Sequence, residues 1–148
     1  MYIPPPVFAL GAALILYGGD KILPSLSIHP QGQWLVGAIC VISGLLIAAV
    51  SLRSFAQKKT TITPVHPENT SVLVTDGIYS YSRNPMYVGM AVCIAGIGVG
   101  LGSLLTLVVL PVFVWLITHI QIVNEEEALE KTFGAAYRAY SAKVRRWI

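Results

Sequence analysis

The stretch Met86–Val123, MYVGMAVCIAGIGVGLGSLLTLVVLPVFVWLITHIQIV, decides the fold. It contains no charged residue. As one helix it would be about 57 Å long at 1.5 Å per residue, whereas the hydrocarbon core of a bilayer is about 30 Å thick. The run must therefore fold back on itself. Gly98-Val99-Gly100-Leu101-Gly102-Ser103 is the natural break, because glycine permits a tight turn. Spans near 86–98 and 104–123 follow. The first is short, so it must begin a few residues earlier or tilt. Pro111 is placed to kink the second.

The rest of the chain agrees with a membrane environment. Of 148 residues, 55% are hydrophobic and 11% charged, against roughly a quarter charged in soluble domains. Mean hydropathy is +0.68. These figures exclude soluble, disordered, collagen-like and coiled-coil classes and leave a small integral membrane protein, a single domain over 1–148. The formal charge of +3 is too weak and too scattered for a nucleic-acid partner. Cys40 and Cys93 lie in apolar runs, no Cys/His cluster has metal-ligand spacing, and no metal is expected. The N-terminus lacks the basic start and cleavage site of a signal peptide, so its apolar segment is expected to remain as a span.

Two further spans are predicted near 3–19, with Pro4, Pro5 and Pro6 in its first turn, and 34–52, anchored by Trp34 and ended by Arg53. The fold class is thus all-α: a polytopic bundle of about four transmembrane helices with a loop over 53–85. Nine of the ten Lys and Arg residues lie in that loop or in the tail. The positive-inside rule puts both segments, and both termini, in the cytoplasm of a cell that holds the protein in its inner or plasma membrane. Leu129, Phe133, Ala136, Tyr137, Tyr140, Val144 and Trp147 recur at three- and four-residue steps, which predicts a C-terminal amphipathic helix over 125–147, with Gly134 inside it marking a close approach or a break. It either lies among the lipid headgroups or closes as a lid on the bundle. Four spans make a thin bundle, with membrane lipids around it and room for a homodimer.

Two polar constellations flank the charge-free run. In the first, Asp76-Gly77 signals a turn and Arg83-Asn84-Pro85 opens the third span. Proline at a helix start leaves nearby N–H groups free for an anion. Arg83 suits a carboxylate or phosphate, and Tyr79, Tyr81 and Tyr87 suit a flat heterocycle. An arginine reaching to headgroups beside a tyrosine belt reads equally from these residues. In the second, Gln121, Asn124, Glu125, Glu126 and Glu127 stand at the cytoplasmic end of the last span, as ligands for a cation or as the solvated start of the tail helix. His119, at membrane depth, either reaches a substrate or bonds a neighbouring helix. The glycines at 96, 98 and 100 do not follow a strand and are not a dinucleotide fingerprint; they permit close helix packing instead.

Together these segments carry a resemblance. Gly77-Ile78-Tyr79-x3-Arg83-Asn84-Pro85-x-Tyr87-x-Gly89, followed by Glu125-Glu126-x2-Leu129-x3-Phe133-Gly134-x2-Tyr137-x2-Tyr140 and then Val144-Arg145, resembles the membrane methyltransferases that include isoprenylcysteine carboxyl methyltransferase and the phospholipid N-methyltransferases. The resemblance covers roughly Thr60 to the C-terminus. It implies S-adenosyl-L-methionine as cofactor, bound on the cytoplasmic side. By the motif, Tyr79, Asn84, Pro85, Met86, Tyr87 and Glu125 contact the cofactor. A strand-like stretch Ser71-Val72-Leu73-Val74 lines the other wall. Arg83 and Glu126 are the implied catalytic residues, with Gln121 and His119 on the substrate side. Members often carry His at the place of Asn84, and the prenylcysteine enzymes carry Arg at the place of Gln121. The implied acceptor is a lipid-like or small molecule. The alternatives are N-methylation of a phospholipid or small amine, and a non-catalytic scaffold of the same shape.

Overall fold

A computed structural model describes residues 4–58 and 72–148. Among them the protein is helical, with no strand and one isolated bridge, Ser27 to Ser103. The helices are α1 (Pro5–Ile22), α2 (Gln33–Gln57), α3 (Pro85–Leu101), α4 (Thr106–Ile117), α5 (Val123–Phe133) and α6 (Ala135–Ser141). A π-helical turn, Thr118–Ile122, joins α4 to α5 without a break. The stretch Thr106–Phe133 is therefore one long rod. Among the described residues, it and Gln33–Gln57 are the two helices long and apolar enough to cross a membrane.

The sequence misplaced several boundaries, each for a local reason. The first helix does not stop at Gly19, because Asp20 accepts a 2.7 Å hydrogen bond from Ser27 Oγ and Lys21 stacks over Tyr17. The second runs past Arg53 to Gln57. In the third, the reversal comes late: helix continues through Gly98 and Gly100, and the chain turns at Gly102. The tail is not one helix over 125–147. Gly134 adopts φ 49°, ψ −117°, a backbone that L side chains avoid, and splits it into α5 and α6. Beyond Ser141 the chain leaves the helix and turns back toward the start of α3.

The α2–α3 pair is the tightest contact, and glycine explains it. A Cβ added at Gly44 would lie 2.5 Å from the Gly89 carbonyl, and one at Gly37 would lie 2.6 Å from the Gly96 carbonyl. Backbones this close gain packing that larger residues would forbid. Leu16, Ile94, Phe113, Ile117 and Ile122 fill the core between α1, α3 and the long rod. The opposite faces carry exposed apolar side chains, among them Leu14, Trp34, Ile39, Ile42, Leu46, Leu107 and Trp115. That surface suits lipid rather than water.

The two ends of the bundle differ. At one end the α1–α2 connection and the α3–α4 turn are laced together, by Ile28 N–H to the Gly102 carbonyl and Leu104 N–H to the Leu26 carbonyl, both 2.8 Å. At the other end lie residues 72–84, α5, α6 and the tail. Gly44→Leu is expected to wedge α2 from α3 and to destabilise the protein by about 1–3 kcal/mol, the usual range for overpacking. A thermal melt in detergent micelles checks this; an unchanged midpoint would mean that the helices can part without loss.

Candidate active site at the start of α3

The site is built from two segments distant in sequence. The first is a 3₁₀ turn, Gly77–Ser80, followed by Arg83-Asn84-Pro85. Pro85 occupies the first turn of α3, where its missing N–H does no harm. Tyr87 is then one step inside the helix, buried in the core cluster. The second segment is the junction from the π turn to α5. A π turn inserts one residue, which rotates everything after it by about 100° at 3.6 residues per turn. Gln121 and Ile122 are buried there, and Glu125 and Glu126 meet the first segment.

The meeting is direct. The Tyr87 hydroxyl donates to Glu125 Oε1 at 2.5 Å. Arg83 Nη1 lies 3.1 Å from Glu126 Oε1 and also donates to the Tyr137 hydroxyl at 3.0 Å. Both Arg83 and Glu126 side chains are more than four-fifths buried. Arg83 Nε is buried and has no partner among the described residues. A charge-bearing donor left so is poised for an acceptor outside the described residues.

A third segment, which the sequence did not assign to the site, completes it. Arg146 grips Glu126 with both ends of its guanidinium, Nε to Oε1 at 3.0 Å and Nη2 to Oε2 at 2.6 Å. Asn84 Nδ2 donates to the Arg146 carbonyl at 3.0 Å, and Arg83 N–H to the Arg145 carbonyl at the same distance. Trp147 Nε1 donates to Thr118 Oγ1 at 3.1 Å. The heptad-like tail pattern suggested a continuous helix and so hid these contacts; the repeated arginine before Trp147 was the available signal.

The remaining predicted residues divide. Tyr79 is buried, packs edge-on against Phe55 at 5.2 Å, and accepts at its carbonyl a 2.6 Å bond from the Tyr140 hydroxyl. Val74 is buried and Val72 exposed, but Val72–Val74 is irregular chain, not strand-like; Ser71 lies outside the described residues. Leu73 lines an open cleft of about 660 Å³ together with Thr75, Ser80, Tyr140, Lys143 and Val144. Arg83, Tyr87 and the glutamates are not part of that lining. Met86 and Asn84 are half-buried at the α3 start. Gln121 faces the interior. His119 bonds its own helix and not a neighbouring one: it is exposed, bonded to the Trp115 carbonyl at 2.8 Å and packed on the Trp115 ring. Its position two steps before Gln121 puts it on the outer side of the rod.

The comparisons with known proteins fit this arrangement. The profile of the phospholipid methyltransferase family matches residues 33–136. This chain belongs to that family. Protein-S-isoprenylcysteine O-methyltransferase from Dictyostelium discoideum is 32% identical over 118 residues, 80% of this chain and 50% of that protein. Protein-S-isoprenylcysteine O-methyltransferase A from Arabidopsis thaliana is 30% identical over 140 residues, 92% of this chain and 69% of that protein. The Schizosaccharomyces pombe protein of the same name is 37% identical over 73 residues, 49% of this chain and 31% of its own length. The chain thus spans about half the length of the first of these relatives. No solved structure gives a significant match.

Electrostatics on this side favour neutral tyrosines. Burial raises the Tyr79 phenol far above its ordinary value, and burial raises Tyr140 to about 12. Unfolded tyrosine titrates near 10. The raised group contributes stability that is whole below about pH 10 and is lost as pH climbs through the folded value near 12. Alkaline titration followed by phenolate absorbance should show Tyr140→Phe removing an alkaline-shifted transition. The same variant should lose about 1 kcal/mol of stability at neutral pH for the missing bond to Tyr79. A wild-type titration with every tyrosine near 10 would contradict this.

Proposed function

We propose that this chain is an integral membrane methyltransferase that uses S-adenosyl-L-methionine and acts on an amphiphilic or lipid-like acceptor; the relatives named protein-S-isoprenylcysteine O-methyltransferase support the methyl transfer. The observation that carries it is the convergence of Tyr87–Glu125 with Arg83–Glu126 at one end of the bundle. Four helical passes, α1, α2, α3 and the long rod, would put that end and both termini in the cytoplasm, where the basic residues of the loop and tail also lie.

The residues present suit the cofactor's chemistry. The unpartnered Nε of Arg83 is matched to a carboxylate. Glu125 and the Tyr87 ring provide the negative surface that a sulfonium favours. Asn84, Pro85 and Met86, at the start of α3, would complete the contact, with Tyr79 and Val72–Val74 behind. When bound, S-adenosylmethionine supplies an electrophilic methyl group. The chain's own work is to bind, align and keep water out. Arg83, fixed by Glu126 and Tyr137, would orient the charged end, and Glu125 would hold its place through Tyr87. The acceptor would arrive from the lipid, past the buried amide of Gln121. A neutral amide there, together with the phospholipid methyltransferase profile, favours N-methylation of an amine headgroup as the second reading.

Calorimetry with S-adenosylhomocysteine should detect binding to the purified protein in micelles. Glu125→Gln and Tyr87→Phe should each weaken binding of S-adenosylmethionine, which carries the sulfonium, about tenfold or more, and binding of S-adenosylhomocysteine, whose sulfur is uncharged, less. Binding that is absent at millimolar ligand, with the fold intact, would end the proposal. Incubation of native lipid extract with methyl-labelled cofactor separates the readings: base-labile label marks an ester, and stable label on a headgroup marks an amine. Binding without any transfer would point to the scaffold.

A further inference from the structure

The tail beyond α6 is the part of the molecule whose contacts its local sequence explains least. Residues 142–148 form no helix, yet they are tied down at several points. Arg83 N–H and Asn84 Nδ2 hold the carbonyls of Arg145 and Arg146. Trp147 packs against the core cluster and bonds Thr118 in the π turn. Arg146 closes Nε and Nη2 on the two oxygens of Glu126. The tail thus bridges the two segments that make the site: it touches Asn84, a proposed cofactor contact, on one and Glu126, the neighbour of Glu125, on the other.

The grip on Glu126 is more than charge balance. Arg83 alone already offers a cation at 3.1 Å. With Arg146 absent, Glu126 would have one guanidinium left to satisfy two oxygens, and Arg83 Nε is an unused donor on that group. Arg83 would then be consumed by Glu126. With Arg146 present, Glu126 is satisfied from the tail side through both oxygens, and Arg83 Nε stays unused.

We propose that Arg146 is a positioning residue. By holding Glu126 in a two-point grip, and Asn84 through its own carbonyl, it keeps Arg83 Nε available and fixes the opening of α3 for the anionic end of the methyl donor. The tail is then a strap that is part of the binding site. Its role rests on the methyltransferase reading for its effect on donor binding, but not for its effect on the tail itself.

The test uses the full chain in nanodiscs, with Arg146→Ala, Arg146→Lys and Trp147→Phe. Arg146→Ala should weaken S-adenosylhomocysteine binding and raise the KM for S-adenosylmethionine by about tenfold or more, as for loss of a charged hydrogen bond. Its kcat at saturating donor should stay within about threefold of wild type, because donor binding can re-form the arrangement. Arg146→Lys keeps the charge and loses the two-point geometry, so it should fall between the two. Trp147→Phe keeps the grip on Glu126 but loses the bond to Thr118, so its donor KM should rise less than that of Arg146→Ala. A KM unchanged in Arg146→Ala, or a kcat loss equal to the KM change in all three variants, overturns the proposal.

A second readout needs no chemistry. A spin label at Ile148→Cys, in a background with Cys40→Ala and Cys93→Ala, should be more mobile with Arg146→Ala and intermediate with Arg146→Lys. Equal mobility in all three would overturn the strap. If wild type binds no donor while the label responds as expected, the methyltransferase reading fails and the strap stands.

Discussion

The carboxylate of Glu126 lies between two guanidiniums. Arg83 approaches from the start of α3 and Arg146 from the tail. Three segments more than forty residues apart in part of their spacing are joined at that one group. A partly buried acid is tolerable only when its charge and its lone pairs are both satisfied. Here two oxygens receive three contacts from two arginines. Remove either cation and the two carboxylate oxygens are left with a single arginine, in a place with little water to complete their bonds. The arrangement of the 72–84 segment, the π turn and the last residues follows from keeping that group paired.

The membrane explains why the polar residues gather where they do. The outward faces of α1, α2 and α4 are apolar, and glycines let α2 and α3 close to backbone contact. Neither region has room for ionisable chemistry. Polar side chains are therefore confined to the ends of the rods, and the two ends have different tasks. One is laced by backbone hydrogen bonds between adjacent turns. The other carries tyrosines, arginines and glutamates. Membership of the phospholipid methyltransferase family is consistent with such a division, in which the lipid-facing rods hold the shape and one end holds the chemistry.

Much of this was readable in advance, and the failures have a common cause. The charge-free run announced a helical hairpin because its length exceeds a bilayer. The Arg-Asn-Pro opening and the Glu pair pointed to one another only by resemblance, since nothing in spacing alone says that residues 83 and 126 touch. His119 was misjudged because a polar residue at membrane depth usually faces inward; here a ring stacked on Trp115 and a bond to its own helix satisfy it instead. In the tail, periodicity argued for one helix and Gly134 for a break; the glycine's φ of 49° decided for the break.

What the sequence by itself determined is the set of apolar rods, the polar ends, and the family. Those depend on composition and on local order along the chain, which a bilayer reads directly. The tertiary structure decided which carboxylate meets which arginine. One added residue in the π turn sets the rotation of α5, and one glycine sends the tail back across the opening of α3. Both are small local changes in backbone angle, and their consequences appear only after the rods have packed.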